Sequence, residues 1–193
     1  MTPEQGSIWI DGEDHTGRAG RVSYMYQKDL LMPWKKVVDN VALPLRLRGM
    51  SKQASREKAL ELFALFGLEG FEKAYPYQLS GGMRQRASLL RTYLCGSDIL
   101  LLDEPFGGLD AITRARLQDW LLELLAGLGV SVLFITHDIE EALYLSDRIY
   151  VLSDRPATIR KEFEPHFDRP RERDLMTDRE FGKLKLEIYQ LLT

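Results

Sequence analysis

Asp103 and Glu104 directly follow the apolar run Ile99-Leu100-Leu101-Leu102, and Pro105 stops the segment. Adjacent carboxylates at the C-terminal end of a buried strand stand where α/β sheets bind ligands. One can sit near Mg2+ while the next orients or deprotonates a water. The same pair also ends ordinary strands in a solvated acidic turn, so alone it decides nothing. Ser80-Gly81-Gly82 offers a second kind of chemistry. The serine can cap a following helix, whose first N–H groups carry the positive end of the helix dipole. The glycines remove side chains that would keep a phosphate away. An ordinary helix start has the same look. His137 directly follows the run 132–136, at the same kind of sheet edge as Asp103 and Glu104. Gln27 ends an alternating run, and Asp110 closes the loop Phe106-Gly107-Gly108-Leu109-Asp110. Each of these is mute by itself.

The elements that must position these residues are legible in outline. Residues 7–11 form a short β-like run ending in the Asp11-Gly12 turn, and residues 21–27 alternate like a strand. Pro33 and Pro44 flank a helical stretch, and Ser51 starts a helix over 52–66 that stops at Gly67. Pro76 ends a short segment, and Ser80 opens a helix to about Cys95. Residues 99–102 suit a central parallel strand covered on both faces. Helix 112–126, buried strand 130–136, helix 138–146 and strand 148–153 continue in the grammar of an α/β sheet. The tail from Arg169 is charged and helical in its last third. The expected organisation is one domain: an α/β core of residues 1–30 and 96–168, a helical subdomain at 31–95, and a tail at 169–193.

Composition narrows the function classes. Of 193 residues, 45% are hydrophobic, enough for a core. The 26 basic and 29 acidic side chains leave a net charge of -3, which gives no support to a nucleic-acid partner. The single cysteine, Cys95, can form no disulfide within the chain and fits a reducing compartment. No stretch reads as a transmembrane span, and residues 1–20 carry no apolar targeting core.

In this order and spacing, the pieces resemble the ATP-binding-cassette family of transport ATPases over essentially the whole chain. Gln27 matches the family's Q-loop, and Leu79-Ser80-Gly81-Gly82-Met83-Arg84-Gln85-Arg86 its signature motif. Leu100 to Glu104 matches Walker B with the catalytic glutamate, Leu109-Asp110 the D-loop, and His137 the switch histidine. The resemblance implies an α/β P-loop NTPase (RecA-like) core with an inserted helical subdomain, incomplete at the N-terminus. It implies ATP and Mg2+ as cofactors and two ATPase subunits closing head to tail over two ATP molecules. Glu104 then polarises the attacking water, Asp103 acts on the Mg2+ shell, and Gln27 touches Mg2+ and senses the γ-phosphate. His137 contacts the γ-phosphate, Ser80, Gly81 and Gly82 bind the γ-phosphate of the partner's ATP, and Asp110 couples the two sites.

The stretch Tyr26-Gln27-Lys28-Asp29-Leu30-Leu31-Met32-Pro33-Trp34 resembles importers of the nitrate, sulfonate, taurine and thiamine-pyrimidine-precursor group. That implies transmembrane permease subunits as partners, indirectly a solute-binding protein, and a peripheral place on the cytoplasmic face of the cell membrane. Leu30, Leu31, Met32 and Trp34 are expected either to be exposed for a permease helix or to be plain subdomain core. A soluble cassette ATPase of DNA repair or translation fits less well, because the helical block is compact and the Leu-Met-Pro-Trp segment points to importers. One departure stands out: nothing matches the phosphate loop G-x-x-x-x-G-K-S/T. In relatives that loop, with its strand and helix, precedes the segment matching residues 6–12, so it is expected upstream of Met1. Without it, the alternative expectation is a catalytically incompetent fragment or interaction module.

Overall fold

The computed structural model describes residues 5–192. The chain forms two compact units, one comprising the residues up to Pro105 together with Gly129–Leu133, the other Phe106–Leu128 together with the chain from Phe134 onward.

In the first unit, strands β1 (Trp9–Ile10) and β2 (Glu13–Asp14) make a minimal antiparallel hairpin. Its turn places Asp11 at φ 52° and Gly12 at φ 80°. Two successive positive φ values are what a two-residue hairpin turn requires, and Asp-Gly supplies them. Strand β3 (Ser23–Met25) pairs in parallel with β4 (Ile99–Asp103), Tyr24 standing opposite Leu101. Strand β5 (Ser131–Ile135), of which Ser131–Leu133 belong to this unit, completes the order β3-β4-β5. Leu100 and Leu102 on one face of the central β4 are fully buried, whereas Ile99 and Leu101 on the other are only partly so, short of the cover on both faces that the apolar run predicts. Strand β5 is not the buried strand expected: Leu133 is 54% and Ile135 49% exposed. It is one of the two outer strands, and one face of it stays half open.

The helical block contains α1 (Val37–Val41), α2 (Leu43–Leu47), α3 (Lys52–Leu60), a 3-10 turn at Pro76–Gln78 and α4 (Gly81–Tyr93). Pro44 and Pro76 start elements rather than ending them. Pro44 lies in the first turn of α2 and Pro76 at the start of the 3-10 turn, where a missing N–H costs nothing. Helix α3 is shorter than expected. From Leu62 onward most bonds tighten to the three-residue step, as in Leu62 N to Ala59 O and Phe63 N to Leu60 O. That step puts Phe63 and Phe66 on one face, and both are buried with Leu68.

The second unit holds α5 (Ala111–Leu128), α6 (Ile139–Leu145), the antiparallel pair β6 (Ile149–Leu152) and β7 (Ile159–Phe163), a 3-10 segment at Arg173–Thr177 and α7 (Arg179–Leu192). Leu143, Tyr144, Val151, Phe163, Phe181 and Ile188 form its core. Strand β7 was not expected, because Ile159-Arg160-Lys161-Glu162-Phe163 shows four exposed residues and no apolar alternation. With it, β6 belongs to a two-stranded sheet separate from β3-β4-β5. The tail is also more ordered than its charge implied, helical over more than its last third.

Candidate functional site

Parallel pairing carries the ends of β3 and β4 to the same edge of the sheet. There Gln27 Nε2 donates to Glu104 Oε2 at 2.7 Å, joining residues 77 apart in sequence. Tyr24 donates its hydroxyl to Asp103 Oδ2, also at 2.7 Å. That bond to a carboxylate pushes the tyrosine pKa up. Glu104 has φ 43°, in the left-handed region that costs a non-glycine residue about 1 kcal/mol or more. The bend turns its carboxylate towards Gln27 instead of continuing the strand. Gln27 and Tyr24 are both exposed, so the group faces solvent.

Among the described residues no set of three or more His, Cys, Asp or Glu side chains could cage a metal. Asp103 and the amide oxygen of Gln27 are nonetheless hard oxygen donors. Mg2+ commonly takes one or two protein oxygens and completes its shell with water and substrate phosphate. The donor set fits that use.

Ser80 caps α4, its Oγ accepting from Met83 N at 3.3 Å. Gly81 opens the helix half-buried, and Gly82 is buried. One face of α4 then grips the loop after Gln27. Arg84 Nε pairs with the Asp29 carboxylate at 3.3 Å, and Ser88 Oγ donates to the Asp29 carbonyl at 3.2 Å. Arg91 donates to the carbonyls of Leu30 at 2.8 Å and Asp29 at 2.5 Å. Burial pulls the Arg91 pKa down. The loop itself bends at Leu30, φ 46°, and is fastened from below by Asn40. Asn40 Oδ1 accepts from Met32 N at 2.7 Å. Its Nδ2 reaches the carbonyls of Met32, Lys35 and Lys36 at 3.1, 3.1 and 3.2 Å. The apolar residues of this loop divide: Leu30 and Trp34 are exposed, Met32 is partly buried, and Leu31 is core. Leu31 is therefore not available to a docking partner.

Asp110 and His137 lie in the second unit. Asp110 caps α5, its carboxylate accepting from Thr113 N at 3.0 Å; hydrogen bonding from the Thr113 side chain first, and from its backbone second, holds the Asp110 pKa below the usual carboxylate range. His137 stands between the end of β5 and α6. Asp138 caps α6 by accepting from Glu140 N at 2.9 Å and Glu141 N at 3.2 Å. The structure thus brings Gln27, Asp103 and Glu104 together directly and ties the helix of Ser80, Gly81 and Gly82 to the Gln27 loop. Tyr24, Asn40 and Arg91 escaped the sequence reading. Arg84, Ser88 and Arg91 follow a helical i, i+4, i+7 spacing, a signal that could have found them.

Residues 1–107 match the family described as ABC transporter. The chain is 41% identical over 192 residues to the taurine import ATP-binding protein TauB of Rhizobium johnstonii, covering 97% of this chain and 73% of that protein. It is 40% identical over 197 residues to the nitrate import ATP-binding protein NrtD of a Synechocystis strain, covering 99% and 74%. The dimeric ATP-binding cassette MJ0796, solved in a post-hydrolysis state with ADP and Pi, superposes with TM-score 0.71 at 28% identity, covering 87% of this chain and 77% of that one. The fold is that of an ABC ATPase cassette. The chain belongs to the ABC transporter family, as an ATP-binding domain.

Proposed function

We propose that this chain is the ATP-binding and ATP-hydrolysing subunit of an importer for a small solute of the taurine, nitrate, sulfonate or thiamine-precursor class. The observation that carries the reading is the bond from Gln27 to Glu104 beside Asp103. It gathers an amide and two carboxylates at one sheet edge, the composition that phosphoryl transfer uses. Glu104 orients and deprotonates the attacking water. Asp103, held by Tyr24, would act on the Mg2+ shell with the Gln27 oxygen as a further ligand, and the ion would neutralise charge on the phosphates. His137 contacts the γ-phosphate. Ser80, Gly81 and Gly82 offer the N-terminus of α4 to the γ-phosphate held by a second, head-to-tail ATPase subunit, and Asp110 couples the two sites.

The helical subdomain is residues 31–95, inserted in a core of 1–30 and 96–168. Its exposed Trp34, with the exposed Leu30 that immediately precedes the subdomain, faces transmembrane permease subunits, which in turn meet a solute-binding protein. Among the described residues no helix is long and apolar enough to cross a membrane, so the place at the cytoplasmic face comes through the permease. The test is ATP turnover by the transporter assembled with Glu104→Gln subunits. Loss of a positioned base lowers kcat by about 100-fold or more while nucleotide binding persists. Turnover kept above a tenth of the original would refute the role of Glu104.

A further inference from the structure

Glu141 on α6 is only 6% exposed. A carboxylate so buried requires its oxygens to be used, and both are. Oε1 accepts from Gln118 Nε2 on α5 at 2.9 Å, and Oε2 accepts from Thr136 Oγ1 at 2.7 Å. The Thr136 hydroxyl in turn accepts from Asp138 N at 3.0 Å. Both chain neighbours of His137 are therefore tied to one carboxylate, Thr136 directly and Asp138 through the hydroxyl. Arg114 stands 3.9 Å from Glu141 and 3.8 Å from Asp138, and it donates to the Leu109 carbonyl at 3.1 Å. Burial pushes the Glu141 pKa up, the bond from Thr136 opposing it.

The chain of bonds continues beyond α5. Gln118 Oε1 accepts from Arg173 Nη2 at 2.9 Å. Arg173 also donates to Asp119 Oδ1 at 2.7 Å and to the Ala115 carbonyl, and its guanidinium lies 4.7 Å from the centre of the Tyr144 ring. The arginine is thus held on three sides, and Gln118 can satisfy Glu141 only in the amide orientation that Arg173 selects. We propose that Glu141 and Arg173 are positioning residues for His137, the bonded series Arg173–Gln118–Glu141–Thr136 letting the C-terminal segment fix where that histidine stands. This rests on the γ-phosphate role given to His137 above. The cap by Asp138 orients the start of α6 but leaves the end of β5 free to swing. The bond from Thr136 to Glu141 removes that swing.

The test reads the His137 ring resonances by NMR, assigned among the three histidines of the chain with His137→Gln. Arg173→Ala and Glu141→Gln are expected to shift those resonances and to speed exchange of the Asp138 amide by about tenfold or more. Arg169→Ala, which frees the same segment from Asp147 and from the Leu145 carbonyl at the far end of α6, is expected to do neither. Arg173→Lys, which keeps the charge and a single donor nitrogen, recovers part of the effect. In the assembled transporter, Arg173→Ala lowers kcat about fivefold or more with KM for ATP nearly unchanged. Unmoved His137 resonances in folded Arg173→Ala overturn the proposal. If Glu141→Gln fails to fold, Arg173→Ala decides alone, since its side chain is 32% exposed and its loss is tolerable. If His137→Ala leaves hydrolysis intact, the γ-phosphate role fails, while the NMR comparison still decides the positioning.

Discussion

Replacing Asn40 with alanine should weaken the fold out of proportion to the atoms removed. Asn40 is fully buried and makes four hydrogen bonds to the loop that follows Gln27. Two of the four partners keep a second bond, because Met32 O also accepts from Lys35 N and Lys36 O from Asn40 N. The Met32 N–H and the Lys35 carbonyl lose the bond that Asn40 supplied. An orphaned buried group costs about 1–3 kcal/mol, and partial access of water to this half-buried loop trims the sum. The expected loss is about 2–4 kcal/mol, read from urea unfolding followed by circular dichroism with an unchanged m-value. A loss below about 0.5 kcal/mol, the scale of an unremarkable surface change, would refute the claim that Asn40 holds the loop.

Asn40→Asp sharpens the test. The Met32 bond survives, but an ionised carboxylate would face three carbonyl oxygens, so the folded state prefers the protonated acid. Its folded pKa then lies above the unfolded value of about 3.9. Between the two values the folded state binds more protons. Stability of this variant should therefore fall as pH rises through that window and be best below it. A flat profile relative to the unsubstituted chain would show that the amide protons are not what the loop requires.

Three further outcomes are expected. Arg56 donates two bonds to Asp39, at 2.8 and 2.6 Å, and these hold the Asp39 pKa below the usual range. That stabilisation is complete above the unfolded carboxylate pKa and lost as pH falls through the folded one, so Arg56→Gln should move the acid-unfolding midpoint to higher pH; an unmoved midpoint would dismiss the pair. Arg91→Met removes the donors to two loop carbonyls and should destabilise by about 1–3 kcal/mol in urea melts, whereas a neutral result would make the grip of α4 on the loop incidental. Glu104→Gly should be more stable than Glu104→Ala by about 1 kcal/mol, because only glycine accepts φ 43° without strain; thermal melts in the reverse order would mean that the bend relaxes.

What the sequence disclosed depended on how local the physics was. Strand β4 was legible because four consecutive apolar residues meet two acids and a proline. The start of α4 was legible because a serine cap needs only the next three residues. Strand β7 was illegible: it exposes Arg160, Lys161 and Glu162, and only its pairing with β6 makes it a strand. The end of α3 was misread because burial of Phe63 and Phe66 favours a tighter turn than helical periodicity implies. At the site, Asp103, Glu104 and Gln27 were each visible as residues, but the bond from Gln27 to Glu104 exists only through the β3–β4 register. Tyr24 carried no signal at all, since a tyrosine on an alternating strand looks like packing until its hydroxyl finds Asp103.

The grip of α4 on the loop after Gln27 has a mechanical consequence. Arg84, Ser88 and Arg91 are three rivets spread over seven residues, about 10 Å of helix at 1.5 Å per residue. A single rivet would let the loop pivot, but three in line transmit rotation as well as translation. Ser80 sits eleven residues from Arg91, about 16 Å along the same bar. Any displacement of Asp29 therefore reaches Ser80 at nearly full size, and with a lever arm that converts a tilt of a few degrees into about 1 Å of travel. The glutamine loop and the serine cap form one rocker, so a change of load at one end is a change of position at the other.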